Sequence, residues 1–437
     1  MIYFNLDKKE FYGVWTSPDS PQSFTGILRI EGRGIFAADV NGFFKKLDIF
    51  DRMDENILFF KSFEGYEFTC LDCMSLGHEW SDDKKGRTKF QIAYIFYGGF
   101  YREDDLYIKK LSLFDSGYTA FNGVGNFSGL TESTENDVLY SLGKILEILT
   151  VSSNLGNVSF RKGLDYSGAE NRIEINVEFI LELQFNSPVG MRQALDAFYK
   201  IKLILEYIGC QSFAPKKMHI NEQDHGIIRF TKRDRLDTGF TIRRFLPNLD
   251  QALLKIVIQN LCDKIDVLAN PLQLLWTARK SLKSDPEKAL LLSVQSFEIV
   301  ERESFGNKII ERKIFRELKI KYQEFIDGLN LEGPMKEKMS GLIDHANEPN
   351  LKIRYQIVCE ISGLKPIFNF EEAPERFIKI IVDNRNYLTH FSRVPEEMVT
   401  YRTIEKNITI IDAMILRFCG PVDDTFYAER YGYRWKK

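Results

Sequence analysis

Apolar positions follow two different periods along the chain. Up to about residue 130 they alternate with polar ones in short runs, and beyond about residue 247 they recur every three to four residues. The first pattern predicts strands, best seen at residues 24–30, 56–60, 90–96 and 106–111. Phe, Ile, Tyr and Leu dominate these runs, which suits a pleated surface. Clusters of Gly, Asp and Asn separate them, and the charged stretch 81–86 suits a hairpin tip. Many short strands spaced by turns point to a sandwich-like arrangement or a distorted barrel.

Residues 130–245 mix the two periods. Val138, Leu139, Leu142, Ile145, Leu146 and Leu149 form one face of a predicted short helix over 135–149, whose end also reads as strand. Residues 172–185 alternate as a strand through Ile173, Ile175, Val177 and Phe179. Ser187 and Pro188 then suit a cap and a first helical position, with the helix running to Ile208 and Gly209 ending it. Residues 226–245 return to strand.

From residue 247 onward the pattern is all helical. A helix is predicted over 249–268, punctuated by Asn270 and Pro271 and continuing to Ser281 after a kink. Asp285 and Pro286 open the next, with an apolar face of Leu290, Leu291, Val294, Phe297 and Val300 and a stop near Gly306. Further helices are expected near 308–328, 334–346, 350–362, 371–388 and 395–419. One-faced helices must bury that face against each other, so a bundle results. The fold class is α+β. A β-rich part over residues 1–246 precedes an all-α bundle over 247–437.

Composition adds limits. The chain has 437 residues, 44% hydrophobic and 28% charged, enough to bury a sizeable core. A formal charge of −3 gives no global attraction to nucleic acid, so any such surface must be local. Six cysteines without regular spacing suggest no disulfide framework. The start lacks an apolar signal core, and no apolar run approaches the roughly 20 residues that span a bilayer. The expectation is a soluble cytoplasmic protein with no membrane partner.

Three stretches carry candidate chemistry. Arg229, Lys232, Arg233, Arg235, Arg243 and Arg244 interleave with Phe230, Phe240 and Phe245, a combination that can hold single-stranded RNA. A solvated strand face, with Asp234 and Asp237 offsetting the charge, is the plainer reading. Cys70 and Cys73 form a CxxC with His78 nearby. A structural zinc site needs a fourth ligand from elsewhere, such as Cys210 or His219, so two small buried residues are the plainer reading. The expected cofactor set is none. The third stretch is Asp383-Asn384-Arg385-Asn386-Tyr387-Leu388-Thr389-His390. It places a guanidinium, which fits phosphate oxygens as a planar fork, beside an imidazole able to move protons near neutral pH.

Geometry raises an objection to that pair. Five residues on a helix leave Arg385 and His390 about 140° apart, so they do not share a face. A joint site then requires a helix break near 386–389 or a second subunit. Asp383 and Asn384 are weak helix formers and good caps, which favours a break, with Pro395 beginning the next helix.

Arg385-Asn386-Tyr387-Leu388-Thr389-His390 resembles the signature of the HEPN superfamily of helical-bundle ribonucleases: Arg, a polar residue, several more, then His. The resemblance covers roughly residues 250–420. An acidic residue on an early helix is a second family feature, and Glu298 matches it best. The layout of a β-rich half before this bundle resembles ApeA-like anti-phage proteins. The resemblance implies a homodimeric, metal-independent endoribonuclease with Arg385, Asn386, His390 and Glu298 in its site. It further implies RNA, with tRNA favoured, as substrate, a phage-derived trigger, and abortive infection as outcome. The β-rich half would sense or recruit. A different class of function stays open: a non-catalytic HEPN-type dimerisation or binding module, with a ligand on the β-rich half.

Overall fold

The computed structural model describes residues 10–31, 35–44, 55–80, 86–101, 107–115, 118, 146–169, 172–209, 211–215, 217–221, 224–228, 251–305, 310–329, 331–345, 347–361, 364–368, 373–390 and 393–420. The chain divides into two compact units, residues 1–263 and 264–437.

The first unit begins with β1 (Glu10–Ser17), β2 (Ser20–Glu31), β3 (Ile35–Val40), β4 (Glu55–Ser62), β5 (Glu67–Trp80) and β6 (Gly86–Tyr97). They run in the order β3-β2-β1-β4-β5-β6, and β3 pairs back onto β6 to close a six-stranded antiparallel barrel. Closure leaves no unpaired edge. Alternation turns Trp15, Leu28, Phe36, Phe60, Phe68 and Phe90 inward as a buried core. Of the two arrangements the strand pattern suggested, this segment forms the barrel.

Strand β6 serves two sheets. Residues Thr88 to Ile92 pair with β3, while Tyr94 to Tyr97 pair with β12 (Asp224–Ile228). The sheet continues through β11 (Lys217–Ile220), β7 (Ile108–Asp115), β10 (Arg172–Val189), β9 (Gly156–Ala169) and β8 (Leu146–Ser153). Helix α1 (Met191–Gly209) packs on β7 and β10, and Tyr118 donates a hydrogen bond to the Leu205 carbonyl.

Three expectations change here. Leu146 to Leu149 belong to strand β8, where pairing with β9 buries Ile148, Leu149 and Val151; residues 135–145 lie outside the described residues. Ser187 and Pro188 end strand β10 and do not start a helix. The register with β7 shifts between Gln184 and Val189, so the missing Pro188 N–H costs no ladder bond there. The expected strand over 226–245 is seen as β12 up to Ile228, and 229–245 lies outside the described residues.

Helix α2 (Gln251–Asp263) packs on β8 and α1. Gln259 imitates a strand there: its Oε1 accepts from Ser152 N at 3.0 Å while its Nε2 donates to the Ser152 carbonyl. This pairing places α2 with the first unit, whereas hydrophobic period alone groups it with the bundle. The expected helix over 249–268 therefore breaks at Lys264, which has φ −103° and ψ 9°. Lys264 Nζ donates to the Phe418 carbonyl and lies 4.1 Å from that ring's centroid. Pro271 sits inside the next helix and does not punctuate it.

The second unit contains α3 (Ile265–Ser281), α4 (Pro286–Phe305), α5 (Arg312–Gly328), α6 (Gly333–His345), α7 (Leu351–Cys359), α8 (Lys365–Phe368), α9 (Pro374–His390) and α10 (Tyr401–Cys419). Asp285 caps α4 as expected, accepting from Lys288 N at 3.0 Å. Helix α4 is the hub, packed by α3, α7, α9 and α10. Phe297 stacks on Tyr355 with centroids 3.8 Å apart, and Tyr355 meets Phe377 edge-on at 6.3 Å. Tyr355 donates to Asn407 Oδ1 at 2.7 Å, and Asn407 donates to Ser293 Oγ at 3.0 Å. Buried ion pairs join Arg279 to Asp412 and Arg354 to Glu301. Among the described residues no helix is long and apolar enough to cross a membrane.

Two stability outcomes follow from this packing. A Cβ added at Gly26 would lie 2.0 Å from the Asp39 carbonyl oxygen and 2.8 Å from Trp15 Cδ1. Gly26→Ala is expected to lower barrel stability by about 1–3 kcal/mol in urea unfolding, the usual range for overpacking. Asp412→Ala removes the carboxylate paired with a buried guanidinium and is expected to cost about 3–5 kcal/mol in the same measurement. Combining Asp412→Leu with Arg279→Met should restore most of that loss, since an apolar pair leaves no unpaired charge.

Candidate active site

Helix α9 opens with Pro374 at its first position and Glu375 in its first turn. Its inward face carries Phe377, Ile378, Ile380, Ile381 and Asn384, all buried. The helix then runs unbroken through 385–389 and ends at His390. The expected break near 386–389 is absent, and the next helix starts at Tyr401 behind a Thr400 cap and not at Pro395.

The reason lies in Asn384, which does not cap. It is only 1% exposed. Its Nδ2 donates to the carbonyls of Ile380 and Glu397, both at 2.8 Å, and its Oδ1 accepts from Val399 N at 3.0 Å. The side chain is spent on a returning segment, so it leaves the helix intact. Thr389 Oγ1 similarly donates to its own helix, to the Arg385 carbonyl at 2.8 Å.

Arg385 and His390 meet without any break. Arg385 Nη1 donates to His390 Nε2 at 3.2 Å. The reach of the arginine, together with the terminal position of His390, spans the angle between the two Cα–Cβ directions. A guanidinium has no acceptor, so in this contact the imidazole nitrogen accepts. Arg385 Nη1 also donates to Asn386 Oδ1 at 3.3 Å. Its Nη2 lies 4.0 Å from Glu298 Oε1, with both side chains about three-quarters covered (27% and 28% exposed). Arg385, Asn386, His390 and Glu298 therefore converge, with His390 exposed at the helix end.

Glu298 reaches this place because its neighbour Phe297 is fixed in the core. Tyr355, stacked beneath, has its phenol pushed well above the ordinary range by burial, with the Glu298 charge adding to the effect.

Arg229, Lys232, Arg233, Arg235, Arg243 and Arg244 lie outside the described residues. Cys70 and Cys73 are buried in the barrel core, because Asp72 adopts φ 52° and turns both thiols inward. Cys73 Sγ donates to the Cys70 carbonyl at 3.6 Å, and burial pushes the Cys70 thiol up, away from the thiolate a metal requires. His78 turns its ring nitrogens to Ser75 Oγ and Thr88 Oγ1, each at 3.4 Å. Among the described residues no group of three or more His, Cys, Asp or Glu side chains could hold a metal ion, and Cys210 lies outside them.

Asn384 is the residue that sequence reasoning misread. Its signal was positional: it continues the inward face of Phe377, Ile380 and Ile381 at helical spacing. A polar residue on an apolar face is a buried hydrogen-bonding group more readily than a cap.

Two family descriptions match the chain. ApeA N-terminal domain 1 matches residues 10–206, and Apea-like HEPN matches residues 291–421. Neither curated proteins nor solved structures give a match. The first match takes in the closed barrel and most of α1; the second takes in Glu298 and the whole stretch from Arg385 to His390. Together the two matches make the chain an ApeA-like protein, with an ApeA N-terminal domain ahead of a C-terminal HEPN domain of the anti-phage type.

Proposed function

We propose that the HEPN domain is a metal-independent endoribonuclease and that the β-rich part senses or recruits a phage-derived trigger. The observation that carries this is the contact of Arg385 with His390 at 3.2 Å on an exposed helix end. RNA supplies its own nucleophile. The 2′-oxygen attacks phosphorus, the P–O5′ bond breaks, and a 2′,3′-cyclic phosphate and a free 5′-hydroxyl result. His390 Nε2 takes the 2′-OH proton as general base, help typically worth about 10²–10⁴-fold. Arg385 turns from His390 to the phosphate and stabilises charge on its non-bridging oxygens. Asn386 and Glu298 hold that guanidinium between them.

The leaving 5′-oxygen needs a proton donor, and in this reading the His390 of a second copy supplies it. A surface suited to a homodimer is available. Helices α5 and α6 leave Ile314, Leu318, Phe325, Met335 and Leu342 exposed. Lys313, Arg316, Lys319 and Lys321 lie in the first part of α5, Glu324 and Asp327 in its last turns. An antiparallel two-fold pairing sets these exposed apolar side chains against their counterparts, as an isologous interface requires. The RNA proposed is tRNA, and its loss would halt infected cytoplasm by abortive infection.

Purified protein is expected to cut bulk tRNA equally well in EDTA; complete dependence on divalent metal would overturn the mechanism. His390→Ala and Arg385→Ala are each expected to lower the cleavage rate at least about 100-fold, near the typical worth of general acid–base or oxyanion help. Both should abolish toxicity in cells, and unchanged toxicity in both would remove the nuclease reading. Sedimentation should show a dimer for the wild type and a monomer for Leu318→Glu with Phe325→Glu. A monomeric wild type would remove the second copy.

A further inference from the structure

Asn384 is the last buried residue of α9, and the six residues after it, which hold the motif, are all partly or fully exposed. Arg385 to Leu388 are only partly covered, and Thr389 and His390 are exposed. The direction of these last turns is set by whatever anchors the helix immediately before them. Asn384 does so through both ends of its amide, to Glu397 O at 2.8 Å and from Val399 N at 3.0 Å. The segment from Arg393 to Thr400 thereby runs back along α9 as a strap. Two outer ion pairs accompany it: Arg376 with Glu397 at 2.8 Å and Lys379 with Glu396 at 2.7 Å. All four of those side chains are largely exposed, and exposed pairs hold little. The buried amide is the fastening that counts.

We infer that Asn384 is a positioning residue for the Arg385/His390 pair, acting by fixing the rotation of α9 about its axis; the catalytic side of this inference rests on the nuclease reading. Each helical residue turns about 100°. With Asn384 locked inward, Arg385 points toward Glu298 on one side and His390 lies on the other. The 3.2 Å contact between Arg385 and His390 and the 4.0 Å approach of Arg385 to Glu298 both depend on that setting. Only an amide fits the role. Aspartate keeps the acceptor for Val399 N and loses both donors, and leucine keeps the volume and loses everything.

The test has two arms. In steady-state cleavage of bulk tRNA, Asn384→Leu is expected to lower kcat at least tenfold with KM within twofold, and Asn384→Asp to fall between it and wild type. Arg376→Gln with Lys379→Gln, which releases only the outer pairs, should leave kcat unchanged. In the second arm the His390 imidazole signal is followed by NMR, assigned with His390→Gln. It should respond to Arg385→Lys in the wild-type background and not in Asn384→Leu. Circular dichroism and thermal melting establish that each variant is folded; if the leucine variant is not, Asn384→Asp decides both arms. A folded variant with wild-type kcat, or one whose His390 signal still answers Arg385→Lys, overturns the inference. Should wild type cut no RNA at all, the nuclease reading falls, and the NMR arm still decides whether Asn384 sets the pair.

Discussion

Phe297 and Glu298 are neighbours on α4, and the helix turns one into the core as it turns the other toward Arg385. That coupling is the constraint on which the HEPN domain depends. The Phe297 ring lies flat on Tyr355, 3.8 Å away and 7° from parallel, leaving α4 little freedom to rotate. Tyr355 in turn ties α7 to α10 through Asn407, and Asn407 returns to α4 at Ser293. A closed chain of stacking and hydrogen bonds thus sets the azimuth of Glu298. Both buried amide and phenol are satisfied, so the network specifies one arrangement without leaving a stranded polar group.

The opposite wall of the site is held by a different device. Helix α9 buries apolar side chains only as far as Ile381, and Asn384 then fastens the helix to the returning strap. The site is consequently built on two rigid helices, with the Arg385/His390 pair at the exposed end of one of them. Such a place suits a polymer substrate: the guanidinium is held on one side by Glu298 and Asn386, while the imidazole stays open to solvent. In the first unit, closure of the barrel by β3 on β6 and the double duty of β6 join a dry aromatic core to the wider sheet.

Part of the candidate site was legible from the chain: Arg385, Asn386 and His390 stand close in sequence and were picked from residue type, whereas Glu298 was picked from the family resemblance. Legibility failed where one period serves two outcomes. Leu146 and Leu149 fit a helix face, yet they pair with β9 as strand. Pro188 suits a helix start, yet a register shift lets it end a strand. Asn384 suits a cap, yet burial turns its amide to another segment. The objection that Arg385 and His390 do not share a face was sound for Cβ directions and missed the reach of a long side chain.

By itself the sequence determined the fold class and the order of a β-rich part before a helical bundle, and it offered the residues of the candidate site. Those follow from local periodicity and side-chain chemistry, which need no knowledge of distant partners. Tertiary structure alone decided that the strands close as a barrel, that α2 joins the first unit, and that α9 stays whole to His390. Each of those turns on a long-range hydrogen bond: β3 on β6, Gln259 on Ser152, Asn384 on Glu397 and Val399. A backbone or amide partner many residues away leaves no period in the chain, so it appears only when the chain has folded.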